Sequence, residues 1–176
     1  TCRPDVPVGQ IDAFDFETYV KWVVPTEASA GYAPLEQLKA QTLAARTYAW
    51  YKILTRAAQP YDVTDWTETQ AMCPNRQHPR SDLAVDMTRG QYIFHPEKGV
   101  IIAMYGAESG SPPRANSWLS SYPYLDAVDD PVSFGIAVNG HGMGMSQNGT
   151  RRWTSWASSP TPAWPDHSSR GRSAAG

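Results

Sequence analysis

The sequence predicts an α+β fold in a single domain, one long helix packed on antiparallel strands, and three observations lead to it. With 176 residues, 41% of them hydrophobic, the chain can bury one real core and has little room for two. Residues 34–54, PLEQLKAQTLAARTYAWYKIL, form an uninterrupted stretch of strong helix formers behind a proline suited to a first turn. Elsewhere, short runs of β-branched and aromatic residues are separated by Gly, Pro and Asp, the pattern of strands and turns.

Taken in order, residues 17–24, ETYVKWVV, end at Pro25 and fit either a short strand or one helical piece. In the helix that follows, a rotation of about 100° per residue puts Leu35, Leu38, Thr42, Ala45, Ala49 and Ile53 on one core-facing stripe, widened by Leu43 and Trp50. Lys39 and Arg46 intrude on the edge of that apolar arc, and Glu36 lies at its margin. Residues 61–70, YDVTDWTETQ, alternate like an antiparallel strand, 72–82 read as a proline-containing loop, and 83–90 as a short helical turn closed by Gly90. Two strand-like runs, 91–96 and 98–107, make a hairpin through Pro96 and Gly99. Residues 109–118 are loop, and 122–130 and 133–139 are further short strands. From 150 onward the chain is rich in Ser, Pro, Ala and Arg, so the domain is assigned to 1–152 and an irregular C-terminal segment to 153–176.

Charge excludes some functions. A formal net charge of -2, with 15 basic and 17 acidic residues intermixed, offers no electrostatic basis for nucleic acid or anionic lipid as partner. No apolar run approaches the ~20 residues of a membrane span, and the start at Thr1 fits a processed chain. Cys2 and Cys73 either pair, closing a loop of about 70 residues worth roughly 4 kcal/mol, or stay as two free thiols. Cys73, His78 and His95 lack the spacing of a metal site, so neither metal nor cofactor is expected. Ser109 in ESGS comes near a nucleophile elbow without matching it.

The stretch NGHGMGMSQNG at 139–149 has neither phosphate-loop spacing nor a basic residue before Arg151. It fits a tight loop packed on the core, or a polar rim in which backbone N–H groups, His141, Ser146 and Gln147 meet a ligand. Met143 and Met145 are expected to point inward and anchor it. Among carboxylates, Glu36 lies in the first turn of the long helix, where the macrodipole already stabilises an anion. Glu27 has no such explanation; in a partly apolar pocket its carboxyl would keep its proton near neutral pH and serve as a general acid.

Four blocks in order, ETYVKWVVPTEASAGYAPLEQLKAQTLAARTYAW, YDVTDWTETQ, AVDMTRGQYI and NGHGMGMSQNG, resemble the domain of stage II sporulation protein D (SpoIID) and the amidase-enhancer (LytB-type) proteins over about residues 14–150. The resemblance implies an extracytoplasmic bacterial protein acting on peptidoglycan. In the sporulation members it implies a lytic transglycosylase that cuts the glycan between N-acetylmuramic acid and N-acetylglucosamine. One glutamate acts as acid and then base while the C6 hydroxyl attacks, giving a 1,6-anhydro product. On this sequence the catalytic glutamate falls on Glu27, with Glu36 the competing candidate. Lys39, Gln41 and Arg46, with His141, Ser146 and Gln147, become substrate-binding or supporting residues around a cleft between the helix N-terminus and the Gly-rich loop. Arg46 pairing with an acid such as Asp65 is the structural alternative. The chain departs from the family where a second glycine is missing in SGSPPRANSW and where the residues after Arg152 turn Ser-Pro-Ala rich. Two further expectations stand beside the enzyme: a peptidoglycan-binding accessory that stimulates a cell-wall amidase, and a structural piece of a larger envelope protein.

Overall fold

The computed structural model describes residues 2, 3, 5–110, 122–126, 128 and 130–159. Where the sequence suggested one domain, the chain divides into two compact units, Thr1–Tyr105 and Gly106–Gly176. Helices and small sheets are both present, as an α+β reading requires.

The first unit holds three helices, α1 (Phe16–Glu27), α2 (Leu35–Thr55) and α3 (Pro79–Met87). The α1 segment left open between strand and helix is helical because its apolar residues fall at helical spacing. Tyr19, Val20, Val23 and Val24 are buried together, and Asp15 caps the start by accepting the Thr18 N–H at 3.0 Å. That burial outweighs the modest helix propensity of valine. Helix α2 buries Leu38, Thr42, Ala45 and Ala49 on the expected stripe, and Gln41, Ala44, Arg46 and Thr47 besides. The long helix therefore packs mainly on α1 and α3 rather than on strands. Its alanines permit close approach, and the core of Val20, Val23, Val24, Leu38, Met72 and Val85 is made between helices. No helix among the described residues is long and apolar enough to cross a membrane.

Residues 61–70 do not form the expected strand. Threonine hydroxyls take up the local backbone instead: the Thr64 N–H donates to Thr69 Oγ1 at 3.0 Å and that hydroxyl donates to the Thr64 carbonyl at 2.9 Å. The hairpin does form, with β1 (Phe94–His95) antiparallel to β2 (Gly99–Val100), but only two residues of each strand pair. Cys2 and Cys73 are joined as a disulfide, tying the N-terminal segment to the end of the 61–73 loop.

The other two-stranded sheet is formed by β3 (Tyr105–Gly106), which contains the boundary residues, and β4 (Met145–Ser146); in the second unit Glu108 and Asn139 exchange N–H···O bonds of 3.1 Å. Where a strand was expected at 122–130 the described residues hold a single 3-10 turn, Pro123–Leu125, led by a proline that cannot donate to a ladder; a second such turn, Pro131–Ser133, runs into 133–139, where Asn139 makes an isolated bridge to Glu108. A fourth helix, α4 (Gln147–Ala157), occupies residues expected to be irregular, so the boundary drawn at 152/153 falls inside it. Ser146 starts that helix by accepting the Gly149 N–H at 2.9 Å. Residues 111–121 and 160–176, which include most of the expected loop and of the expected irregular segment, lie outside the described residues.

Candidate functional site

Glu27 is the last residue of α1 and is half-buried. Its Oε1 accepts the Ala71 N–H at 2.8 Å, which orients the carboxylate from the neighbouring loop. Around it runs a polar network inside an otherwise apolar wall. The Tyr19 hydroxyl donates to Gln70 Oε1 at 3.3 Å, and Gln70 Nε2 donates to the Ala45 carbonyl at 3.1 Å and to the Tyr105 hydroxyl at 2.8 Å. Burial pushes both phenols well above their ordinary range, and the nearby negative charge of Glu27 adds to it in each case. A carboxylate, two phenols that burial keeps neutral and a buried amide thus come together in the first unit.

The other candidates of this unit sit differently. Glu36 is exposed and paired with Lys39 at 2.9 Å, one helical turn away. Such a surface pair on a first turn has a complete structural explanation. Gln41 and Arg46, expected around a cleft, are both turned into the core, at 1% and 2% exposure. Arg46 does pair with an acid, but with Glu17 rather than Asp65: Nε and Nη2 meet the two Glu17 oxygens at 2.9 and 2.8 Å. The same guanidinium donates to the carbonyls of Val85 at 3.0 Å, Thr88 at 2.9 Å and Gln91 at 3.3 Å. It binds α1, α2 and the C-terminus of α3 into one body, which is why a charge interrupts the apolar arc of α2.

In the second unit the Gly-rich stretch is a turn system leading into β4 and α4. Gly142 and Gly144 adopt φ of +73° and +72°, a conformation that side-chain-bearing residues rarely take. Gly149 answers to space instead, since a Cβ there would meet Asp130 Oδ2 at 2.7 Å and Ser146 Oγ at 2.8 Å. His141 is half-buried, and its Nδ1 accepts the Met143 N–H at 3.0 Å. Met143 is buried as expected and Met145 half-buried. Ser146 is buried, and Gln147 is half-buried in the first turn of α4.

The structure adds residues that the sequence reading passed over. Ser146 Oγ donates to Glu108 Oε2 at 3.3 Å, and Glu108 is clamped by Arg152 through bonds of 2.9 and 2.6 Å. Arg152 continues to the Ser133 hydroxyl, Ser133 to Asp130, and Asp130 Oδ1 accepts the Trp153 indole N–H at 2.9 Å. The Arg152 hydrogen bonds, and secondarily its charge, hold the Glu108 carboxyl below its ordinary range. Beside this network lies a cavity of about 380 Å³ whose wall includes Tyr124, Asp126, Asp130, Ser146 and Trp153. One signal for it was present in the sequence: a Ser at 146 followed by a helix-compatible run is an N-cap, and it would have carried a helix through Arg152 and Trp153.

Residues 6–95 match the SpoIID family, stage II sporulation protein, and the chain belongs to it. Among individual proteins it is 32% identical over 148 residues to the amidase enhancer of Bacillus subtilis, covering 81% of this chain and 20% of that protein. It is also 38% identical over 125 residues to an uncharacterized protein of Brachyspira hyodysenteriae, covering 67% of this chain and 33% of that protein. The chain thus spans a third or less of the length of these relatives.

Proposed function

We propose that the protein is a lytic transglycosylase of bacterial peptidoglycan, working outside the cytoplasm, with Glu27 as its single acid and base. The observation that carries this reading is the placement of Glu27: half-buried at a helix end, oriented by the Ala71 N–H, and set among phenols that burial keeps neutral. Glu27 donates its proton to the glycosidic oxygen as the bond from the N-acetylmuramic acid anomeric carbon breaks. The resulting carboxylate then takes the proton of the C6 hydroxyl as that oxygen bonds to the same carbon, and no water is consumed. The Cys2–Cys73 disulfide supports an oxidising, extracytoplasmic setting.

A second reading is favoured by the similarity to the amidase enhancer: a peptidoglycan-binding accessory that stimulates a separate cell-wall amidase and cuts nothing. Incubation with purified, peptide-free glycan strands, followed by mass spectrometry for anhydro-muramyl ends, separates the two. The enzyme reading predicts such ends from the wild type and none from a Glu27→Ala, Glu36→Ala double variant. Binding to sacculi with no products above that variant overturns it and leaves the accessory.

A further inference from the structure

The cavity of the second unit has a chemistry that the glutamate sites do not use. The charged side chains among its described lining residues are acidic, Asp126 and Asp130; Lys, Arg and His are absent from that set. Arg152 stands close by, bonded bidentately to Glu108 and linked to Asp130 through Ser133, so one cation stands against the carboxylates of Glu108, Asp126 and Asp130 and these described groups are net negative. Tyr124 and Trp153 supply aromatic surface, and Leu125 and Val128 apolar surface. Trp153 is fixed from two sides, its N–H on Asp130 and its ring edge-on to Trp156, with centroids 5.5 Å apart at 90°. A fixed indole beside two carboxylates suits a cation, because the ring quadrupole and the carboxylates attract the same charge. It disfavours any group bearing a carboxylate of its own.

We propose that this cavity binds a primary ammonium group, carried on an amino-sugar ring or on an aliphatic peptide side chain. Its volume of about 380 Å³ admits either carrier. That the carrier belongs to bacterial cell wall rests on the function proposed above; the binding chemistry does not, and it is measured without any cleavage.

The test uses the full chain and follows the Trp153 indole N–H resonance by NMR during titration with methyl glucosaminide, its N-acetyl counterpart and Nα-acetyl-lysine amide. The sugars differ at one nitrogen, a cationic ammonium in one and a neutral, bulkier acetamide in the other, and the lysine derivative separates the two carriers. At least one amine is expected to bind about tenfold or more tighter than the N-acetyl sugar, and added salt should weaken it. Asp126→Asn, at an exposed position, should weaken the amine about threefold and leave the N-acetyl sugar unchanged, with thermal melting as the folding control. Equal or tighter binding of the N-acetyl sugar overturns the proposal in favour of a neutral sugar site. No response to either amine, or unchanged amine affinity in Asp126→Asn and in Asp126→Asn with Asp130→Asn, also overturns it. Amine binding in a chain that yields no anhydro ends leaves this proposal standing while the transglycosylase reading falls.

Discussion

The two units are held by different forces. In the first, valines, alanines and Leu38 from three helices make a continuous apolar core, and one buried ion pair, Arg46 with Glu17, is enclosed by it. In the second, Leu125 and Met143 are the buried apolar residues other than alanine and glycine among those described, and a polar chain from Ser146 through Glu108, Arg152, Ser133 and Asp130 to Trp153 makes the connections. Apolar burial varies little with pH or salt, whereas a charge-assisted network depends on the protonation of each member. The lesson is that the same interaction type, an Arg–Glu fork, has a fixed structural task in the first unit and an environment-sensitive one in the second.

The strongest way to break this contrast is at Arg46. Arg46→Ala leaves Glu17 as an uncompensated, largely buried carboxylate and removes the donors to Val85, Thr88 and Gln91. A loss of about 3–5 kcal/mol is expected in urea denaturation of the first unit. A cost under about 1 kcal/mol would mean that the helices hold without the hub.

A smaller effect is expected at Glu108. Its carboxyl is held below its ordinary value of 4.5, so on acidification the unfolded chain takes up the proton first. The contribution of the pair is complete above that ordinary value and is lost as pH falls through the lower value of the folded state. Glu108→Gln should cost about 1–2 kcal/mol at neutral pH and flatten the acid limb of a near-ultraviolet circular dichroism titration, to which Trp153 and Trp156 contribute among the seven tryptophans of the chain. A variant with the wild-type acid limb would mean that another group controls it. The smallest effect belongs to Lys39→Ala, which removes only the surface pair with Glu36 and should change stability by about 0.5 kcal/mol or less in the same denaturation experiment.

The sequence was readable where a period repeated. Helix α2 and its stripe from Leu38 to Ala49 were legible because several turns agree, and the hairpin around Gly99 because of its turn chemistry. The strands expected at 61–70 and 122–130 failed for a local reason, since threonine hydroxyls take up backbone groups in the first and a proline removes a ladder donor in the second, over runs too short to average out. Glu27 was singled out because a carboxyl without a helix-dipole explanation stands out in one dimension. The Glu108–Arg152–Asp130–Trp153 chain was not, because its members lie up to 45 positions apart and meet only through the turns at Gly142 and Gly144. Arg46 was noticed as an intruder, but its partner Glu17 lies 29 residues away on another helix, beyond what helical spacing reveals.

The central claim is that Glu27, and not Glu36, is the acid and base of glycan cleavage. The most direct test is the initial rate of anhydro-muramyl product formation on peptide-free glycan strands, compared among wild type, Glu27→Gln and Glu36→Gln. A general acid–base role predicts a fall of about 10²–10⁴-fold for Glu27→Gln with unchanged folding, and a rate within about threefold of wild type for Glu36→Gln. A Glu27→Gln enzyme that keeps the wild-type rate would contradict the account.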